Sequence, residues 1–194
     1  MQYSEGRIGR GFVVRIDDGE DFLATVTDFV TKKEIRTGTI LFLGALREAR
    51  MVTGPEEPVY PPDPHFVMFD DGWEMVGIGS ICSGKDGSPA LHFHASVGKA
   101  GHALAGCLRE SATVYIVAEA IILEIAGPDI RRMFDEKTKV NLPVHGRQVP
   151  APDPGTRDMK TRAEQPQTNA ADDDDQASGG LAEIIRDLTQ RPRV

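Results

Sequence analysis

Ala90-Leu-His-Phe-His-Ala-Ser-Val97 alternates apolar and polar side chains through its whole length. Successive residues of a strand point to opposite faces, so this stretch reads as a β-strand with Leu91, Phe93, Ala95 and Val97 toward a core and His92, His94 and Ser96 toward a cleft. Two residues of strand span roughly 6.5 to 7 Å. Two imidazoles at that spacing on one face can meet on one metal ion.

Outward from this stretch the strands multiply. Gly84-Lys-Asp-Gly87 is a hairpin-type turn that joins it to a strand expected over Trp73 to Ser83. Upstream, Gly11 to Ile16 reads as a strand. Glu20-Asp21 then opens an amphipathic helix bearing Phe22, Val26, Phe29 and Val30 on one face. Thr39 to Ala45 is a further strand with Arg47 to Thr53 as its candidate partner, and Gly54 to Pro64, with five prolines, is a loop. Downstream, Val114 to Ala126 is a nearly continuous apolar run suited to a central strand buried on both faces. Gly127-Pro128 stops it, and Asp129 to Phe134 reads as a short capped helix. The expected fold class is α+β: a mixed, largely antiparallel sheet flanked by helices.

The 194 residues, 40% hydrophobic and 27% charged, suffice for one core with something to spare. Composition changes near Pro150, where a Pro, Gln, Asn and Asp-rich stretch begins that runs to Asp172-Asp-Asp-Asp175 and Gly179-Gly180. Such a segment buries too little apolar surface to offset its ordering entropy. Three parts are therefore expected: a domain over 1–148, an acidic disordered linker over 149–180, and a tail over 181–194. In that tail Leu181, Ile184, Ile185 and Leu188 form one helical stripe, which either docks on its own domain, a neighbouring subunit or another protein, or is disordered.

Lys and Arg number 16 against 21 Asp and Glu up to residue 150, and 6 against 9 beyond it, so neither part is basic. The net charge of −8 argues against broad attraction to DNA or anionic lipid. No long apolar span and no secretory leader are visible, so the expected location is cytoplasmic with no membrane partner. Cys82 and Cys107 are then expected as free thiols, which makes Cys107 available as a ligand.

Cys107 and His102 both lie within fifteen residues of His92, close enough for the chain to turn back and bring them near. A zinc site with three protein ligands accepts imidazole nitrogen and thiolate sulfur. His92, His94 and Cys107 are the expected ligands, and His102 is the alternative third. Glu119, inside the apolar run, is expected to be buried and paired, hydrogen-bonded or protonated. From there it could orient a metal-bound histidine, act as a general base or form an ion pair. His65 and His145 read as solvated loop residues.

Leu91-His-Phe-His-Ala-Ser96, a glycine-bearing turn, and then Gly106-Cys107-Leu108 resemble the pattern of the PPC (plants and prokaryotes conserved) domain family, over about residues 7 to 143. That pattern is His-x-His-x-Ser, a turn, and Gly-Gly-His-Leu. The family's first two metal-site histidines fall on His92 and His94. Its third falls on Cys107, with Ala105 and Gly106 in place of the two glycines. The resemblance implies a compact α+β domain that forms homotrimers, and an acidic residue on the strand that carries Glu119. Plant members join the domain to AT hooks, and this chain has none: Arg7-Ile-Gly-Arg-Gly11 lacks the proline and the basic flanks. The expected function is a non-enzymatic, homotrimeric module that binds a divalent metal, zinc above others, with a regulatory, DNA-associated role. The alternative is a zinc-dependent enzyme acting on a small molecule in the metal cleft. Signatures such as His-Glu-x-x-His, Gly-x-Ser-x-Gly and the phosphate-binding glycine loop are missing.

Overall fold

A computed structural model describes residues 1–146. In chain order the elements are β1 (Arg7–Asp17), α1 (Phe22–Lys32), β2 (Gly38–Val52), β3 (Phe66–Phe69), β4 (Trp73–Ser83), β5 (Pro89–Lys99), β6 (His102–Ala126), β7 (Ile130–Phe134) and β8 (Asn141–His145). The linker and tail expected over 149–180 and 181–194 lie outside the described residues.

β2 pairs with β4, β4 with β5, β5 with β6, and β6 with β2, which closes a hydrogen-bonded circuit of four antiparallel strands. β1 adds to the second half of β6, β3 to the end of β2, and β7 with β8 to the end of β4. β6 serves so many neighbours because it is 25 residues long and bulged. Its pairing with β2 shifts register three times, and Glu110 and Ile116 take positive φ of 66° and 64°. Each bulge bends the strand and raises its twist.

Alternation sorts the residues as expected on β5, where Phe93, Ala95 and Val97 are buried and His94 and Ser96 are exposed. The inner faces meet around α1. Phe22 lies 4.8 Å from Phe42 of β2 and 5.7 Å from Phe93 of β5, centroid to centroid, and Val26 and Val30 are fully buried beside them. Asp21 caps this helix: its side chain accepts from the Ala24 N–H at 2.7 Å and, through its other oxygen, from the Ala112 N–H of β6 at 2.9 Å. One carboxylate thus starts the helix and ties it to the longest strand. At Gly77 of β4 a Cβ would overlap the Phe42 ring and the His94 carbonyl oxygen, so only glycine lets β4 and β5 run this close over the core.

The fold class differs from the expected sheet flanked by helices. The domain is predominantly β, with eight strands and, among the described residues, the single helix α1. Asp129 does not cap a helix. Ile130–Phe134 is the strand β7, paired with β8 and touching β4 in parallel at Ser83 and Arg131. The Asp129 side chain instead accepts from Arg131 Nε at 3.1 Å, and its carbonyl accepts from the Gly146 N–H at 2.8 Å, which ties the open end of this hairpin. Arg47 to Thr53 is no separate strand but largely the continuation of β2. The apolar run Val114 to Ala126 is central but not buried on both faces: Ala118, Ala120 and Ile122 face the core, whereas Glu119 and Ile121 are exposed.

Candidate metal centre

The centre forms where β5 turns into β6. Lys99-Ala100-Gly101-His102 is a tight hairpin with φ of 48° at Ala100 and 83° at Gly101, and it sets the register that places Cys107 directly opposite His94. His92, His94 and Cys107 share the outer face of the two strands. Cys107 Sγ lies 2.9 Å from His94 Nε2 and 3.1 Å from His92 Nε2, and the imidazole centroids are 4.9 Å apart. All three ligand atoms fall within 4.8 Å of one another. Gly106 secures the approach, because a Cβ there would collide with the Val52 carbonyl oxygen of β2.

Burial lowers the pKa of His92 from 6.5 to about 4, and the positive charges of Arg132, Arg109 and His94 add to the effect. His92 is therefore a neutral imidazole near pH 7, the form that donates a lone pair to a metal. A tetrahedral zinc with bonds of about 2.0 to 2.3 Å separates its ligand atoms by about 3.3 to 3.6 Å. On such an ion the N···S distances open by a few tenths of an ångström and the two imidazole nitrogens, within 4.8 Å of each other, close toward about 3.3 Å; two imidazoles and a thiolate are donors that suit a divalent ion of borderline softness.

His102, the alternative third ligand, is not part of the cluster. It starts β6 opposite Lys99, five residues or roughly 16 Å of strand from Cys107. There it lines an open surface cavity of about 540 Å³ with Trp73 and Tyr115. Glu119 also stands apart from the cluster. It is exposed rather than buried, opposite Arg15 of β1 and Leu43 of β2, because alternation aims it away from the core that holds Ala118 and Ala120. His145 is half-buried and shares a 2.8 Å hydrogen bond with Ser4 Oγ. Cys82 is a buried free thiol whose pKa burial pushes up.

Two residues that the sequence reading did not single out flank the centre. Arg132 of β7 donates through Nη2 to Ser80 Oγ at 3.0 Å, and Ser80 is the cross-strand partner of His92. Arg109 stands two residues beyond Cys107, with the buried Leu108 between them. Arg132 carried no local signal, because its place depends on a strand that the sequence read as a helix.

The model of the Plants and Prokaryotes Conserved domain matches residues 3–126. The chain belongs to this family. Among solved structures, the metal-containing protein of Archaeoglobus fulgidus is 28% identical, with a TM-score of 0.67 over 74% of this chain and 99% of that one. A plant- and prokaryote-conserved protein of Pyrococcus horikoshii is 25% identical, with a TM-score of 0.62 over 73% and 96%. A candidate DNA-binding protein of Bacteroides thetaiotaomicron is also 25% identical, with a TM-score of 0.61 over 73% and 96%. The comparison with curated proteins gives no match.

Proposed function

We propose that this PPC chain is a non-enzymatic, homotrimeric module whose domain over 1–148 holds one divalent ion, zinc above others, and serves a regulatory, DNA-associated role. The convergence of His92 Nε2, His94 Nε2 and Cys107 Sγ carries the reading. A thiolate with two imidazoles suits zinc better than magnesium or calcium, which prefer oxygen. The metal-containing relative of Archaeoglobus fulgidus supports the ion, and the Bacteroides thetaiotaomicron relative supports the DNA association. With a net charge of −8, contact with DNA would rest on a local patch and weaken steeply with salt.

Assembly is supported by the outer face of the sheet. Leu41, Leu43, Val76 and Ile78 are 44%, 54%, 60% and 54% exposed and are cross-strand neighbours on β2 and β4. Ile121, opposite Leu41 on β6, extends the patch. A contiguous apolar face of this kind is characteristic of an interface, and closed cyclic symmetry would bury it.

Elemental analysis of the purified full chain tests the ligand assignment. About one zinc per chain is expected in the native protein and little in His94→Ala or Cys107→Ser; undiminished metal in both variants would refute it. A zinc-dependent enzyme is the second reading, favoured by the three-ligand shell that leaves one coordination position for a small molecule. When bound, the ion would polarise an oxygen in that position. Metal-dependent turnover of a small molecule would decide for the enzyme.

A further inference from the structure

Five arginines elsewhere in the domain are paired with acids: Arg10 with Glu124, Arg15 with Asp17, Arg47 with Asp18, Arg50 with Glu110 and Arg131 with Asp129. The two beside the His92, His94 and Cys107 cluster are different. Among the described residues, neither Arg132 nor Arg109 makes an ion pair with a carboxylate. Arg132 is held by neutral groups, donating from Nη2 to Ser80 Oγ at 3.0 Å and from Nη1 to the Asn141 carbonyl at 3.3 Å, while its buried Nε has no partner. Arg109 is exposed on the strand and face that carry Cys107.

The local field is therefore positive in a chain whose net charge is −8. Arg132 reaches Ser80, the cross-strand partner of His92, and Arg109 lies two residues beyond Cys107 on β6. A divalent ion with one thiolate adds a further positive charge. Neutral ligands would leave that charge uncompensated, and cations would be repelled.

We infer that the centre takes a small oxyanion, a carboxylate or a phosphate, with one oxygen in the coordination position that the protein leaves open and its charge held by Arg132 and Arg109. The inference rests on the metal reading above. A planar guanidinium fork suits such oxygens, which it can bind two at a time.

The test loads the full chain with Co²⁺, whose visible absorption reports its coordination, and titrates acetate and inorganic phosphate separately at constant ionic strength. A saturable spectral change is expected. Response to acetate alone assigns a carboxylate ligand, and response to phosphate alone a phosphoryl ligand. Arg132→Gln and Arg109→Gln should each raise the half-saturating concentration at least fivefold while keeping about one ion per chain, and Arg15→Gln should leave it unchanged. Exposed Arg109 provides the test if the Arg132 variant does not fold. One ion per chain with no response to either anion, or equal half-saturation in all variants, overturns the oxyanion site and leaves the metal reading intact. A chain that takes up neither cobalt nor zinc overturns both.

Discussion

Cys107 stands where the family pattern has a histidine, directly opposite His94 across the β5–β6 ladder. Replacing it by histidine keeps a nitrogen donor at the same place. Cys107→His is therefore expected to retain a divalent ion with weaker preference for soft metals, whereas Cys107→Ala loses it; competition between zinc and cobalt read by elemental analysis distinguishes the two. His92 adds a pH dependence. Its folded pKa is lowered from 6.5 to about 4, so between those values the unfolded chain takes up a proton that the folded chain refuses. Stability contributed by His92 is full above about pH 6.5 and is lost as pH falls toward 4. Denaturant unfolding of the metal-free protein at pH 7 and pH 5 should show this loss, and His92→Gln should reduce it. Of the residues around the centre, the two histidines were legible in the sequence because strand alternation is a local rule and His-x-His obeys it, whereas Cys107 stood beside His102 as a candidate through its closeness in sequence and the family resemblance. Arg132 was not, since it arrives from a strand 40 residues downstream of His92. Glu119 was misjudged for a related reason: an apolar neighbourhood in sequence suggests burial, yet side chains on a strand alternate whatever their polarity.

β1, α1, β4 and β5 are legible from local signals, as are the two turns that frame β5, whereas β2 and β6 are longer than their local signals suggest. α1 is specified by Asp21 and by the spacing of Phe22, Val26 and Val30. Asp21→Ala removes the cap and also leaves the Ala112 N–H without its acceptor, so a loss of about 1 to 3 kcal/mol is expected in urea unfolding. The hairpin between β5 and β6 gives a prediction of opposite sign. Ala100 sits at φ 48°, a conformation that Asn tolerates better and that precedes Gly101 in the manner of an Asn-Gly turn. Ala100→Asn should stabilise the protein by about 0.5 to 1 kcal/mol, seen as a higher melting temperature, without loss of metal. Four- and five-residue strands carried too little pattern: β3 gave no alternation long enough to read, and β7 fits either period over five residues. Their identity as strands depends on exposed edges of β2 and β4 that receive them.

For the whole molecule, the near-continuous apolar run of β6 suggested a strand buried on two sides, and one chain buries only one. The outer face, apolar at Leu41, Leu43, Val76, Ile78 and Ile121, is what neighbouring subunits of the proposed trimer would cover. Light scattering after gel filtration is expected to give the mass of three chains, and Ile78→Glu to reduce it; a native monomer would refute the assembly. The alternation of apolar residues on both faces also explains why the fold class was misread, because a sheet that appears covered on both sides invites helices to cover it. The central claim is the ion held by two imidazoles and one thiolate, and X-ray absorption at the zinc edge of the purified full chain tests it most directly. The account predicts one sulfur at about 2.3 Å and two imidazole nitrogens at about 2.0 to 2.1 Å; a shell of nitrogen and oxygen with no sulfur, or no zinc edge in metal-replete protein, would contradict it.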